Sequence, residues 1–333
     1  VDGLRFSVAI NHYNYGRFLP EAIASALAQT HAPLEVIVVD DASTDGSPHW
    51  LEQTYGHDPR VRLIFQHENA GQYAAMRAAV DVARGDVVCF LDADDYWAPD
   101  HLERLRRAYA LPARYDVVYA DLAYCGRRSG SWKARFAYWL PQGRDHDAGL
   151  SVLAVAFGQR WIGVPTSGIS MRRAWARHAL DIAPEIAADW RMGADTVLVC
   201  NAALRAARTL FLDHPSVHYR FHGDNDSVER ESNYARGLRE NYRLRRLIAH
   251  LRRRLEIDAS WLTRVKGEFK SRPQPTAAER DLYLALLRRA PLGPLKKLEH
   301  RVSIWRHWWR SVRARPAPSA AAVRLPSSAA AGS

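Results

Sequence analysis

The run LEVIVVDD, Leu34–Asp41, constrains the fold of this 333-residue chain more than any other stretch. It is too short for a stable helix and too apolar for a strand with one wet face. It therefore reads as a strand buried on both sides in a parallel sheet. Comparable runs recur at FSVAIN (Phe6–Asn11), VRLIFQ (Val61–Gln66), DVVCFL (Asp86–Leu91) and DVVYAD (Asp116–Asp121). Helical patterns separate them. Ile23, Ala26 and Leu27 share a face of Phe18–Thr30, Ser and Asp residues cap ASTDGSPHWLEQTY, Gln72–Ala83 is Ala-rich, and Pro99 opens a helix through Ala110. Strand–helix alternation at this spacing predicts an α/β fold with right-handed βαβ units and a mostly parallel central sheet, helices on both faces.

Such sheets bind ligands outside the carboxyl ends of their strands. Three of those ends are polar here: NHYN after the first strand, DDASTD after the second and DADD after the fourth. The pattern gathers Asn11, Tyr13, Asp41, Asp92 and Asp94 around one crevice. Two carboxylates two residues apart at a strand–loop junction can face one point. Hard cations such as Mn²⁺ or Mg²⁺ take few protein oxygens and complete their shell with water and substrate phosphate. The plainer reading makes Asp95 and Pro99 the start of the next helix and leaves Asp92 solvated; the register with two other polar ends favours a bound ligand.

Several classes are set aside by what the chain lacks. No run approaches the ~18 apolar residues of a membrane-spanning helix, and no signal peptide is expected, because no basic stretch followed by an apolar one opens the sequence. Cys89, Cys125 and Cys200 are far apart with no CxxC spacing, which predicts a reducing, cytoplasmic compartment. Charge divides the chain: residues 1–227 carry 23 Lys and Arg against 27 Asp and Glu, whereas residues 228–333 carry 24 against 9. A faintly acidic body with a strongly basic tail implies a second, anionic partner.

The segments SVAINHYNYGRFLPEAIASALAQTHAPLEVIVVDDASTDGS and HENAGQYAAMRAAVDVARGDVVCFLDADDYWAPDHL resemble the family 2 glycosyltransferases. The likeness is close over the first 105 residues and thinner to residue 227; several separated motifs in order carry it, which a lone DxD would not. It implies a GT-A (Rossmann-like) domain over residues 1–227, nucleotide-binding in 1–105 and acceptor-binding in 106–227. It also implies an inverting transfer of a single sugar from a UDP-, GDP- or dTDP-sugar to a hydroxyl of a glycan or lipid-linked acceptor in bacterial surface polysaccharide synthesis. By the same resemblance Tyr13 stacks on the base with Asn11 nearby, and Asp41 accepts the base's ring N–H. Asp92 lies by the ribose and metal, and Asp94 binds the Mn²⁺ or Mg²⁺ that bridges the diphosphate.

Inversion by single displacement needs a general base on the acceptor hydroxyl. In the family it stands at a helix start, where RMGADTVLV supplies Asp195, with Asp189 as the fallback; the simpler role for Asp195 is an N-cap. YRFHGDNDS (Tyr219–Ser227) resembles the end of the family's catalytic domain, implying His222 at the metal or diphosphate and Arg220 at phosphate. Asp45 reads as a structural cap and Asp40 as either structural or functional. Met76-Arg77 departs from the family's frequent Arg-Asn pair, leaving Gln72 or Arg77 for the phosphate contact. GQRWIG lacks the QxxRW spacing of processive synthases, so non-processive transfer is expected.

Beyond the domain, residues 228–315 read as a basic helical extension and 316–333 as a disordered, low-complexity tail. Leu244, Leu247, Leu251 and Leu255 share one helix face. Leu298, Val302, Trp305, Trp309 and Val312 form a second stripe flanked by Arg301, Arg306, Arg310 and Arg313. That stripe suits packing on the domain, or peripheral contact with anionic lipid at the inner face of the cell membrane; only charge speaks for nucleic acid. Two other functions compete. A sugar-phosphate nucleotidyltransferase needs a Gly-rich, Arg-containing loop after the first strand, where NHYNYGRF has a single Gly. A catalytically silent scaffold would use only its basic tail, on membrane or nucleic acid.

Overall fold

The computed structural model describes residues 3–127, 129–131, 140–141, 143–222 and 234–314. The tail 316–333 and residues 223–227 of the YRFHGDNDS motif lie outside them. Ten strands form one sheet: β1 (Phe6–His12), β2 (Glu35–Asp40), β3 (Val61–Phe65), β4 (Val87–Asp92), β5 (Tyr96–Trp97), β6 (Val117–Gly126), β7 (Gly130–Ser131), β8 (His146–Gly149), β9 (Ile169–Arg172) and β10 (Thr209–Phe221). Every residue of β2 is buried, as a strand covered on both faces requires.

The sheet order is β3-β2-β1-β4-β9-β6-β10-β5, with β7 on β6 and β8 on β10. The first four strands pair in parallel. The register sets Asn11 beside Asp92 and His12 beside Asp40, so the polar strand ends stand level as the alternation predicts. Of the strands not legible in the sequence (β5, β7, β8 and β9), β9 changes the sheet order. β9 lies between β4 and β6, antiparallel to both, so β6 does not adjoin β4. It has four residues behind the turn GVPTSG, too few to show a period.

Flanking helices bury the faces that the sequence spaces for it. Tyr73, Met76, Ala79 and Val80 of helix Gln72–Val82 point into the core, and Leu19, Ala22, Ile23 and Ala26 do so in helix Leu19–Leu27. Helix Tyr234–Arg254 packs on helix Ala194–Leu204 through Leu247, Ile248 and Leu251. Helices Val265–Lys270, Ala277–Arg289 and Pro294–Arg313 pack on one another, and the first two reach the short helix Val152–Ala156 of the sheet body.

A buried polar cluster ties this basic extension to the body. Arg272 is fully buried; it donates to Glu279 at 3.0 Å, to Ser151 Oγ at 2.9 Å and to the Glu268 carbonyl at 3.1 Å. His146 of β8 lies 3.0 Å from the same Glu279 oxygen. Glu268 accepts the Leu153 backbone N–H at 2.9 Å and the Tyr283 hydroxyl at 2.5 Å. Burial pushes the Glu279 carboxyl up, but His146, Arg272 and the N–H of Thr276 outweigh it and hold the group at about 2. A folded value below that of the unfolded chain contributes stability above about pH 4.5, lost as pH falls toward 2.

Arg272→Met removes the guanidinium from between these carboxylates, leaving Glu279 with His146 alone. It should lower the unfolding free energy by about 3–5 kcal/mol, measured by urea denaturation at neutral pH.

Candidate active site

A cleft of about 670 Å³ opens at the carboxyl ends of β1, β2 and β4. Asn11, Tyr13, Asp41, Gln72, Asp92, Asp94 and Asp195 all line it. Tyr13 stands at the rim, 42% exposed, with its ring free to serve as a stacking platform. Asp41 is buried and accepts the backbone N–H groups of Ala70 and Gly71 at 2.8 and 2.7 Å, which shapes the loop into helix Gln72–Val82. Gly71 has φ +91°, and a Cβ on it would stand 2.6 Å from the Arg191 carbonyl oxygen. Only glycine lets this loop lie against residues 190–193.

The acidic end of β4 divides into three roles. Asp92 Oδ1 accepts the side-chain amides of Asn11 and Gln72, each at 2.9 Å. Burial, then the charge of Asp94, pushes its carboxyl up to about 7. Asp94 Oδ2 lies 3.0 Å from His222 Nε2, and its carbonyl accepts Arg220 Nε at 2.9 Å. Asp95 is not the helix start that its sequence position suggests, because the helix begins at His101. It is buried, and accepts Ser167 Oγ at 2.6 Å and the Arg220 backbone N–H at 2.9 Å, tying β4 to β10.

Oxygens of Asp92, Asp94 and Asp95 lie within 4.8 Å of one another. Both Asp95 oxygens already accept a hydrogen bond, so Asp92 and Asp94, with the neighbouring His222 imidazole, remain to hold an ion. Carboxylate oxygens repelling one another at such close range fit a hard divalent cation. Asn11 Oδ1, buried with no partner among the described residues, is a further acceptor at the same point.

Asp195 faces the cleft from the first turn of helix Ala194–Leu204. It is not the N-cap; Gly193 holds that place at φ +78°. Its Oδ1 accepts the Thr196 N–H at 2.7 Å. Burial nonetheless raises its carboxyl to about 6, against the pull of Thr196. Gln72 joins this helix to the acidic cluster: its Nε2 reaches Asp92, and its Oε1 accepts the N–H groups of Gly193 and Ala194, both at 3.1 Å.

Other candidates stand elsewhere. Arg77 projects on the wet side of its helix, 4.0 Å from Asp81, because Tyr73 and Met76 take the inward face; it does not line the cleft. Asp189 pairs with Arg246 at 2.6 Å, away from the cleft. The guanidinium of Arg220 pairs with Glu21 and lies over Phe18 and Tyr96, bracing the Asp94 loop. Asp45 accepts the N–H groups of Gly16 and Ser47, a structural cap as the sequence suggests. Asp40 is buried 3.6 Å from His12 and accepts the Ser43 N–H, beneath the crevice.

Sequence reading missed the far wall. Trp190, Met192, Thr166, Glu240 and Arg243 also line the cleft. The Arg243 guanidinium lies 4.3 Å from the centre of the Trp190 ring and donates to the Met192 carbonyl at 2.7 Å. Nothing local marks Glu240 or Arg243 among the many charges of their helix; only its docking brings them there.

Residues 7–169 match the family model described as Glycosyl transferase family 2. An uncharacterized glycosyltransferase of Nostoc sp. is 34% identical over 231 residues, 69% of this chain and 68% of that protein. The chain belongs to glycosyltransferase family 2. The succinoglycan biosynthesis protein ExoO of Rhizobium meliloti is 41% identical to this glycosyltransferase over 118 residues, 35% of this chain and 33% of ExoO. The crystal structure of S. aureus TarS 1-349 in complex with UDP-GlcNAc shares the fold of the glycosyltransferase, with TM-score 0.55 at 19% identity over 93% of this chain and 92% of that one. Membership makes the chain an enzyme and sets nucleotidyl transfer and a silent scaffold aside.

The raised Asp92 sets a pH test of the glycosyltransferase. The folded protein holds that proton more tightly than the unfolded chain, so the ion-free protein should lose stability as pH rises from 3.8 through about 7. Asp92→Asn should flatten that loss in thermal midpoints recorded across the range, and Mn²⁺ should restore wild-type stability at pH 7.5.

Proposed function

We propose that this glycosyltransferase moves one sugar from a nucleoside-diphosphate sugar to a hydroxyl of a glycan or lipid-linked acceptor, with inversion and with a divalent ion. The observation that carries the reading is one cleft holding an acidic cluster and, linked to it through Gln72, a half-buried carboxyl of pKa about 6. The fold shared with TarS, solved in complex with UDP-GlcNAc, supports a nucleotide-sugar donor. ExoO, named for succinoglycan biosynthesis, supports a polysaccharide as the product.

In this reading Tyr13 stacks on the base and Asp41 accepts its ring N–H. Asp92, Asp94 and His222 would hold Mn²⁺ or Mg²⁺, which supplies positive charge beside the departing diphosphate. Asp195 takes the proton of the acceptor hydroxyl as that oxygen bonds to the anomeric carbon. The bond from that carbon to the diphosphate oxygen breaks in the same displacement, and the diphosphate leaves with the electron pair. A carboxyl near pKa 6 is deprotonated at neutral pH yet basic enough to accept the proton. Gln72 holds the two carboxylates in fixed relation.

A panel of UDP-, GDP- and dTDP-sugars with Mn²⁺, read by thermal shift and donor cleavage, tests the donor. Asp94→Ala should abolish metal-dependent cleavage; equal binding and cleavage by wild type and variant would overturn the metal assignment. Asp195→Asn should slow transfer by about 10²–10⁴-fold while sparing donor affinity. Loss of both together would make Asp195 a structural residue. The wild-type rate should rise with pH through about 6, then level off, since only the carboxylate can act as base.

A further inference from the structure

Helix Pro294–Arg313 docks by the face opposite the one its sequence recommends. His300, Ile304 and Ser311 are buried, with Trp308 packed beside them. Of the expected stripe, Leu298 (53% exposed), Val302 (48%) and Trp309 (51%) face outward, joined by Leu295 (83%), while Trp305 and Val312 are half-buried. At 3.6 residues per turn, these side chains lie roughly 150° round the helix from the buried ones. The exposed stripe is therefore not a by-product of packing.

Cations frame it. Arg301, Arg306, Arg310 and Arg313 are exposed and make no ion pair among the described residues. A groove of about 910 Å³ beside the stripe is lined by Leu295, Leu298 and Val302 together with Lys266, Lys270, Arg306 and Arg310. Lys266 and Lys296 pair with Glu299, the one acidic residue of this helix. No helix among the described residues is long and apolar enough to cross a membrane.

We propose that this helix lies in the surface of an anionic bilayer, its Leu295–Leu298–Val302–Trp309 stripe among the acyl chains and its arginines on lipid phosphates. Leucine and tryptophan ringed by arginine is the composition an interfacial helix needs, and tryptophan favours the headgroup level. Each cation near an anionic leaflet adds to the attraction. Duplex nucleic acid would satisfy the arginines but leave four exposed apolar side chains in water. A second copy packed on this face would set arginines against arginines. The inference stands independently of the donor, the ion and Asp195.

Sedimentation of the full chain with phosphatidylcholine vesicles, alone and with roughly one-third phosphatidylglycerol, tests it. Binding should need the anionic lipid and weaken in high salt. Leu298→Asp combined with Trp309→Asp should lower the partition coefficient about tenfold or more. Both positions are exposed, so circular dichroism and donor cleavage in solution should stay those of wild type. Equal binding to neutral vesicles, or by the double variant, would overturn the proposal. So would absence of binding, a concentration-dependent dimer lost in the variant, or binding to duplex DNA that the variant weakens as much as lipid.

Discussion

The side-chain amide of Gln72 is the contact on which the cleft depends. Its N–H group steadies Asp92 at the end of β4, and its carbonyl takes the first N–H groups of the helix that carries Asp195. Those N–H groups belong to a helix end with no side-chain cap of its own, so the glutamine does the capping from across the cleft. One residue thereby fixes the distance between the acidic cluster and the Asp195 helix. Gly71 permits it, because any larger residue would push the loop off Arg191.

The acidic cluster is the second constraint, and it explains the economy of polar contacts around it. Three carboxylates in four residues would repel without relief. Asp95 is relieved by Ser167 and a backbone N–H, Asp92 by two amides, and Asp94 by an imidazole. The relief is incomplete, since Asp92 and Asp95 both stay well above the usual carboxylate range through burial and mutual repulsion. A divalent cation bound there would remove that residual cost.

The basic extension does two different things. Its first helix closes the cleft, through Glu240 and Arg243 on the wall and Arg246 on Asp189. Its later helices are anchored by the buried Arg272–Glu279–His146 cluster, which turns them into part of the body. The difference in charge between residues 1–227 and the remainder is real, but it does not mark a line along which the structure comes apart.

Some of this was legible in residues alone. Apolar runs ending in Asn11, Asp41 and Asp92 describe parallel strands whose tips meet, because a buried strand must place its first polar residues where the sheet ends. The motif around Asp195 put a carboxylate at a helix start, and the helix is there. Asp95 as a helix start and Asp195 as an N-cap were misread, because a carboxylate's partner is decided by what folds against it. Arg77 looked available for phosphate until the inward turn of Met76 sent it to solvent.

What the sequence determined by itself was the parallel part of the sheet, β1 to β4, and the crevice at its strand ends, since periodicity and strand ends are local properties; the place of β9 was left to tertiary structure. Tertiary structure alone decided the far wall, the glutamine bridge and the direction of the last helix. These depend on contacts between residues as distant as Gln72 and Gly193, or Arg243 and Met192. The last helix shows why most plainly. Its stripe said that one face is apolar, but burial is chosen by the partner surface, and the partner took His300 and Ile304 instead.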